Sequence, residues 1–371
     1  MDIGMFLVPF RLPQTSLKDG YDWDMQVIRW ADEFGLSEVW VAEHSTMRWE
    51  PVCSPELYLA AALAQTKQIK LCTGANVPAH HNPVALAHRL MQLDHMCQGR
   101  LIVGLGAGAY RPTIRFTGTP IRLKRWPKPS ISCARFGKPK APSSTKANTG
   151  NSKSLSTTQY NRARSSNRSN NLAHLWPWRA LALPPAPSLK PVGYLPMSFN
   201  VGREYLAGHW YRYMQGAEAA GHQADRNQWR VAHNILVADT DEEAIDLAVN
   251  GAMGQTYREW LLPGYERGGF LPVMVPELGK VTAADIDIEY LAREKWLVGS
   301  PDTVIKKLQR DLDASGGFGT LIHFAFDYLD QREQYRRHFE LLGTEVIPRI
   351  KGLKHKTETL AELKRPADVK D

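Results

Sequence analysis

The chain has 371 residues, 43% of them hydrophobic, which is length and apolar material for one large barrel or two ordinary domains. Its opening, MDIGMFLVPF, carries an acid at Asp2 and lacks the cationic start and long apolar core of a secretory signal; no run approaches the length of a membrane span, so a cytoplasmic enzyme with no membrane partner is expected. The formal charge of +8 would suggest a polyanionic partner, but residues 111–192 hold 16 of the 46 Lys and Arg and none of the 38 Asp and Glu, so the remainder is net acidic and no nucleic-acid partner is expected.

Up to Tyr110 the pattern alternates: apolar IGMFLVPF, helical WDMQVIRWADEFG, apolar SEVWVAEH, helical SPELYLAAALAQT, apolar IKLCTGANV, helical NPVALAHRLMQLDHM, apolar RLIVGLGAG. Short buried strands alternating with amphipathic helices specify a parallel sheet. Ser54 and Asn82 stand as N-caps before Pro55 and Pro83, and Gly35 and Gly99 close helices. Four βα units in about 110 residues is the pace of a (β/α)₈ barrel. From Gly193 the same grammar resumes with GYLPMSF, REYLAGHWYRYMQGAEAAG, WRVAHNILVAD, DEEAIDLAVNGAMGQTYREWL, a loop-rich stretch to about residue 290, SPDTVIKKLQRDLDAS, GTLIHFAF and a last helix from about Gln331. Strands are expected near residues 2–8, 37–43, 69–75, 101–106, 193–198, 229–237 and 319–326, all in one sheet. The cysteines Cys53, Cys72, Cys97 and Cys133 show no CxxC or metal-ligand spacing and read as reduced thiols.

Residues 111–192 interrupt this order. Eleven prolines, runs such as NRARSSNRSNN and little periodicity leave three readings: a disordered basic insert, a nucleic-acid-binding arm, or a stretch translated out of frame. The genetic code favours the third. One base added before Arg111, with wobble bases chosen freely, recovers VKAMAEAIDLLRAIW, an amphipathic helix. Further on it recovers SVAVAGLGASASSES, an apolar strand followed by a loop of small hydroxyl residues, which supplies the missing fifth strand. The shift also explains the charge, because an acidic GAN codon read one base late begins AN and becomes Lys, Asn, Thr, Ser, Arg or Ile. The expected unit is one barrel domain over residues 1–350, aberrant within 111–192, with a charged, frayed tail over 351–371.

Three runs carry a resemblance: the long stretch from WVAEHSTMRWEP through AHHNPVALAHRLMQLDHMCQGRLIVGLGAGAY, then GYLPMSFNVG, then VGSPDTVIKKLQRDLDASGGFGTLIHFAFD. They resemble the bacterial luciferase-like, flavin-dependent monooxygenases, most closely the limonene monooxygenase type, over nearly all of the chain outside residues 111–192. The resemblance implies a (β/α)₈ TIM barrel holding reduced FMN, or FAD, at the C-terminal strand ends. It further implies dioxygen and a small apolar substrate as reactants, a separate flavin reductase as donor, and a homodimer. No G-x-G-x-x-G fingerprint follows the first strand, in keeping with a separate reductase. Two other readings stand beside it: a deazaflavin-dependent hydride-transfer oxidoreductase of the same superfamily, and a non-functional pseudogene product.

His44 ends WVAEHS and places an imidazole of near-neutral pKa at the catalytic face. Taken alone, a strand-end histidine is more often structural; the matching family position is a catalytic histidine, so His44 is the catalytic candidate. Its neighbour Glu43 points to the opposite face by strand alternation and reads as a structural carboxylate. Asn76, in GANVP, is a candidate flavin contact or equally a turn before Pro78. In GLGAGAY, Gly106, Gly108 and Tyr110 are candidate cofactor contacts because glycine permits close backbone approach. Ser198 is a further candidate at the end of the sixth strand. The resemblance puts the flavin phosphate on the loop after the fifth strand, where the chain as written has ALALPPAPSL, poor in N–H donors and hydroxyls. His80 and His81 are adjacent on one loop without a carboxylate cluster in the sequence, and no metal is assigned.

Overall fold

A computed structural model describes residues 1–45, 47–106, 195–199, 202, 205–219, 221–363 and 365. Strand β1 (Asp2–Leu7) is buried in all but its first residue and sits in the middle of the main sheet. On one side β1 pairs in parallel with β2 (Glu38–Val41), followed outward by β3 (Lys70–Asn76) and β4 (Leu101–Leu105). On its other side lie β9 (Thr320–Phe324), then β6 (Arg230–His233) and β5 (Met197–Phe199), again all parallel. The segments before Tyr110 and after Gly193 therefore share one sheet, as their common grammar requires. Among the described residues this sheet has seven strands, and its edges, β4 and β5, are the strands that flank residues 107–194 in sequence. The expected fifth strand and the expected frame-shifted segment lie outside the described residues.

The sheet curls. β1 and β5 are separated by two strands, so in a flat sheet they would stand about 14 Å apart. Phe6 and Phe199 nevertheless meet at 5.7 Å between ring centroids, and both touch Phe324, at 5.6 and 5.5 Å. These rings line a concave face. At the N-terminal ends of the strands, Arg230 reaches across the same face to Glu38, with Nε to Oε1 at 2.6 Å and Nη2 to Oε2 at 2.9 Å. Gly4 makes room for this pair: a Cβ there would lie 2.7 Å from Glu38 Cγ.

Helices cover the convex face. They include α1 (Leu17–Glu33), α2 (Pro55–Leu63), α3 (Pro83–Cys97), α4 (Leu206–Ala219), α5 (Asp241–Asn250), α6 (Pro301–Ser315) and α7 (Arg332–Leu341). Asn82 caps α3 as expected, its Oδ1 accepting from Val84 N and Ala85 N at 3.0 and 3.1 Å. Ser54 precedes α2 without a side-chain cap, and Gly35 and Gly99 take the left-handed backbone their positions require.

Three expectations are corrected. The strand expected over 229–237 breaks at Asn234, whose Nδ2 donates to Tyr257 Oη at 2.6 Å and whose carbonyl accepts from Leu297 N at 3.0 Å. The chain beyond it, β7 (Ile235–Val237), leaves the main sheet and pairs with β8 (Leu297–Gly299), a three-residue strand too short to show a period. The helix expected over 241–261 stops at Gly251 and restarts as Ala252–Thr256, a π-turn at Tyr257–Leu261, and Leu262–Gly268. Of the tail expected to fray from residue 351, the stretch through Leu363 instead docks at the N-terminal strand ends. Asn227 Nδ2 donates to His355 O at 3.0 Å, Arg226 N donates to Thr357 Oγ1 at 2.9 Å, and Leu360 and Leu363 pack on the core.

Candidate active site

The C-terminal ends of β1 to β4 gather three of the candidates. β2 stops at Val41, and Ala42 N makes one more ladder bond to Leu7 O at 3.1 Å before the chain turns away. His44 N then donates to Val52 O at 2.6 Å, closing residues 44–52 into a loop. That closure returns Glu50 to the His44 ring, where Nδ1 and Oε2 form an ion pair. Trp260 Nε1 donates to the other oxygen of Glu50 at 2.7 Å, and the Trp260 ring stacks on Trp49 at 6.0 Å. Arg11 N donates to Trp49 O at 2.7 Å and ties the loop to the end of β1.

Glu50 is buried at 6% exposure, whereas about a third (34%) of the His44 side chain is open, and Nδ1 belongs to the covered part. Burial opposes charge on both groups, but each is held charged by the other. The Glu50 carboxylate, with Glu43 behind it, raises the His44 imidazole above its ordinary value. Against its own burial, Glu50 is held below the usual carboxylate range by His44 and the Trp260 N–H. A buried carboxylate on one ring nitrogen with the other side exposed is an arrangement that can pass a proton at Nε2.

Glu43 turns the other way, into a buried network. Its Oε2 accepts from Val77 N at 2.9 Å and meets His81 Nε2 at 2.9 Å, while Oε1 meets His80 Nδ1 at 3.2 Å. These partners hold Glu43 below the usual carboxylate range despite its burial, and hydrogen bonding to Glu43 raises His81. The two adjacent histidines thus converge on one carboxylate that sequence spacing did not connect to them. Among the described residues no group of three or more His, Cys, Asp or Glu side chains is arranged to hold a metal ion.

Asn76, the last residue of β3, is fully buried and donates through Nδ2 to Glu43 at 3.3 Å and to Glu56 at 3.1 Å. Glu56 is itself held by Arg89 Nε at 2.9 Å. Both amide hydrogens are committed, and Oδ1 is a buried acceptor without a partner among the described residues. Gly106 lies directly beside it, its N–H donating to Asn76 O at 2.8 Å. His44, Asn76 and Gly106 are therefore brought to one end of the sheet, with Glu43 linking the first two. Gly108 and Tyr110 lie outside the described residues.

Ser198 does not join them. Its neighbour Phe199 faces the concavity, so Ser198 faces the helices. Its hydroxyl accepts from Trp229 Nε1 at 3.0 Å, and Trp229 stacks on Trp210 of α4 at 5.2 Å. The expectation of a cofactor contact at Ser198 conflicts with this placement. The residues missed from sequence are Glu50, six positions after His44, and Trp260, which arrives from a distant helix and leaves no local signal.

A parallel α/β sheet with an acid-backed imidazole at the C-terminal ends of its strands is the layout of an α/β enzyme. The luciferase-like monooxygenase family matches residues 1–129. The 3,6-diketocamphane 1,6-monooxygenase of Pseudomonas putida is 30% identical over 388 residues, covering 94% of this chain and 98% of that protein. Limonene 1,2-monooxygenase of Rhodococcus erythropolis is 25% identical over 381 residues, covering 100% of this chain and 93% of its own. Among solved structures, the oxygenating constituent of 3,6-diketocamphane monooxygenase from Pseudomonas putida, in complex with FMN, superposes with a TM-score of 0.74 at 28% identity, covering 96% of this chain and 100% of that one. The chain belongs to the luciferase-like monooxygenase family.

Proposed function

We propose that this protein is the oxygenating component of a two-component flavin monooxygenase, acting on a small apolar substrate with FMN delivered reduced by a separate reductase. The observation that carries the reading is the His44–Glu50 pair at the end of β2. FMN is favoured over FAD because the diketocamphane relative is complexed with FMN. The residues present fit the ring end of a flavin. Asn76 Oδ1 is a buried acceptor awaiting a donor, Gly106 beside it has no side chain to hold a ring off the backbone, and Phe6, Phe199 and Phe324 line the concavity.

When bound, the reduced flavin supplies the electrons that activate dioxygen. Glu43 and Glu56 hold the Asn76 amide in one orientation, so its acceptor is fixed before a ligand arrives. The aromatic rings exclude water from the reacting centre. His44 holds or moves a proton at Nε2, on the open side of its ring.

Closure of the sheet into an eight-stranded barrel, with the fifth strand between β4 and β5, belongs to the same reading. It is supported by the fact that the two edges are those flanking residues 107–194. So does impaired flavin binding by the chain as written, since ALALPPAPSL offers few donors to a phosphate. The test compares the chain as written with one carrying the restored reading frame between residues 111 and 192. Soluble yield, cooperative melting and FMN affinity are all expected to rise on restoration, and the restored protein is expected to consume dioxygen only with reduced FMN. Equal FMN affinity in the two chains overturns the account of impairment. Turnover with a reduced deazaflavin and no oxygen uptake overturns the monooxygenase reading in favour of hydride transfer.

A further inference from the structure

Glu50 reaches His44 without being its neighbour on a strand. The loop that delivers it is closed by the His44 N to Val52 O bond and pinned at Trp49 O by Arg11 N. One oxygen of the carboxylate is occupied by the Trp260 indole at 2.7 Å, which leaves the other against Nδ1 of His44. A carboxylate anchored at one oxygen and buried on all sides cannot swing away from the ring, and the stacked Trp49 and Trp260 wall it in. An imidazole facing a carboxylate keeps hydrogen on the facing nitrogen, so the lone pair of the neutral ring sits on Nε2.

We infer that Glu50 is a positioning residue for His44: it selects the Nδ1–H tautomer, aims Nε2 into the open end of the concavity, and is itself set by Trp260. This rests on the reading of His44 as the proton-transfer group. Glu50 acts only through His44. Among the described residues, the other titratable groups around the pair are Glu43, whose carboxylate is engaged by His80 and His81 on its far side, and Tyr265, which feels the charge of Glu50.

The experiment needs no bound flavin and no turnover. The chain is labelled with ¹³C and ¹⁵N in histidine, the His44 signals are assigned by their absence in His44→Asn, and the ring is titrated by NMR. In the parent chain His44 is expected as a single Nδ1–H tautomer that titrates above an ordinary histidine. Glu50→Gln is isosteric and keeps an acceptor for the Trp260 indole. It is expected to lower the midpoint by about one pH unit or more, a tenfold loss of the protonated form at neutral pH, and to mix the tautomers. Glu50→Asp is expected to restore part of both. An unchanged midpoint and tautomer in a folded Glu50→Gln protein overturns the assignment and leaves Glu50 as a filler of the loop. Should Glu50→Gln not fold, Glu50→Asp decides: it shortens the carboxylate away from Nδ1, and a lowered midpoint with mixed tautomers supports the inference, while an unchanged midpoint and a single Nδ1–H tautomer overturn it. Failure of the functional reading shows separately, as a frame-restored His44→Ala protein that turns over normally while the Glu50 dependence of the titration persists.

Discussion

Two histidine sites sit on the same sheet, and their surroundings drive them in opposite directions. His44 lies at the end of β2 against the carboxylate of Glu50, and its imidazole is raised. His323, in β9, faces the helices with no exposure at all, and its Nε2 meets Tyr335 Oη at 3.1 Å and His338 Nε2 at 3.3 Å. His338 Nδ1 accepts from Val237 N at 3.0 Å, so its hydrogen is on Nε2 and it is neutral. Burial lowers His323 to about 3 and, with His323 beside it, pushes His338 well below the ordinary range. The lesson is that burial alone expels the proton, whereas burial beside a fixed carboxylate retains it. The first arrangement serves packing and the second can serve chemistry.

The largest effect expected from this contrast is acid lability. The folded values of His323 and His338 lie below the unfolded value near 6.5, so only the unfolded chain takes up protons as pH falls below it. The stability they contribute is whole above about pH 6.5 and is lost as pH falls toward the folded values, by about 1.4 kcal/mol per pH unit for each group. Urea melts at pH 7 and pH 4.5 check this. His338→Gln keeps an acceptor for Val237 N and should reduce the pH slope; an unreduced slope breaks the comparison.

Next in size is His44→Ala in a frame-restored protein, expected to lower turnover by roughly 100-fold while FMN still binds, as loss of a positioned proton-transfer group typically does. Turnover close to parental would place His44 with His323 as a packing residue.

A third experiment concerns the carboxylate that serves His80 and His81. Glu43 has a depressed folded value, so its contribution is present above the unfolded carboxylate range and is lost as pH falls through that value. Glu43→Gln should cost about 1 to 3 kcal/mol at pH 7, because buried donors lose a charged acceptor, and the deficit should shrink in acid. A deficit independent of pH would show that Glu43 acts by shape alone. The smallest effect is that of Ser198→Ala, which removes one hydrogen bond to Trp229, worth about 1 kcal/mol, and should leave FMN affinity unchanged. Weakened FMN binding would return Ser198 to the site.

The sheet was legible because its strands are buried on both faces and its helices carry caps. IGMFLVPF and GTLIHFAF are apolar runs that fit only the interior of a parallel sheet, and Asn82 before Pro83 announces α3. β8 was not legible, since three residues carry no period, and the break at Asn234 depends on a tyrosine 23 positions away. Among the candidates, the common placement of His44, Asn76 and Gly106 at the C-terminal strand ends was readable from their positions in the apolar runs. Ser198 was misplaced because a strand of three residues, Met197–Phe199, gives no reliable count of which side chains face inward. Glu50 and Trp260 escaped because their contact is made by loop closure and by packing from a helix remote in sequence, neither of which leaves a spacing to find.

The Glu38–Arg230 bridge has a consequence for traffic. It crosses the concavity at the first residues of β2 and β6, with Trp40 Nε1 donating to Glu38 at 2.9 Å and the Arg230 guanidinium lying over the Trp40 ring at 5.7 Å. A molecule lying on the concave face could therefore pass between β2 and β6 at that end only by parting a buried, doubly hydrogen-bonded ion pair, which bolts the two halves of the sheet together behind the end where His44 stands.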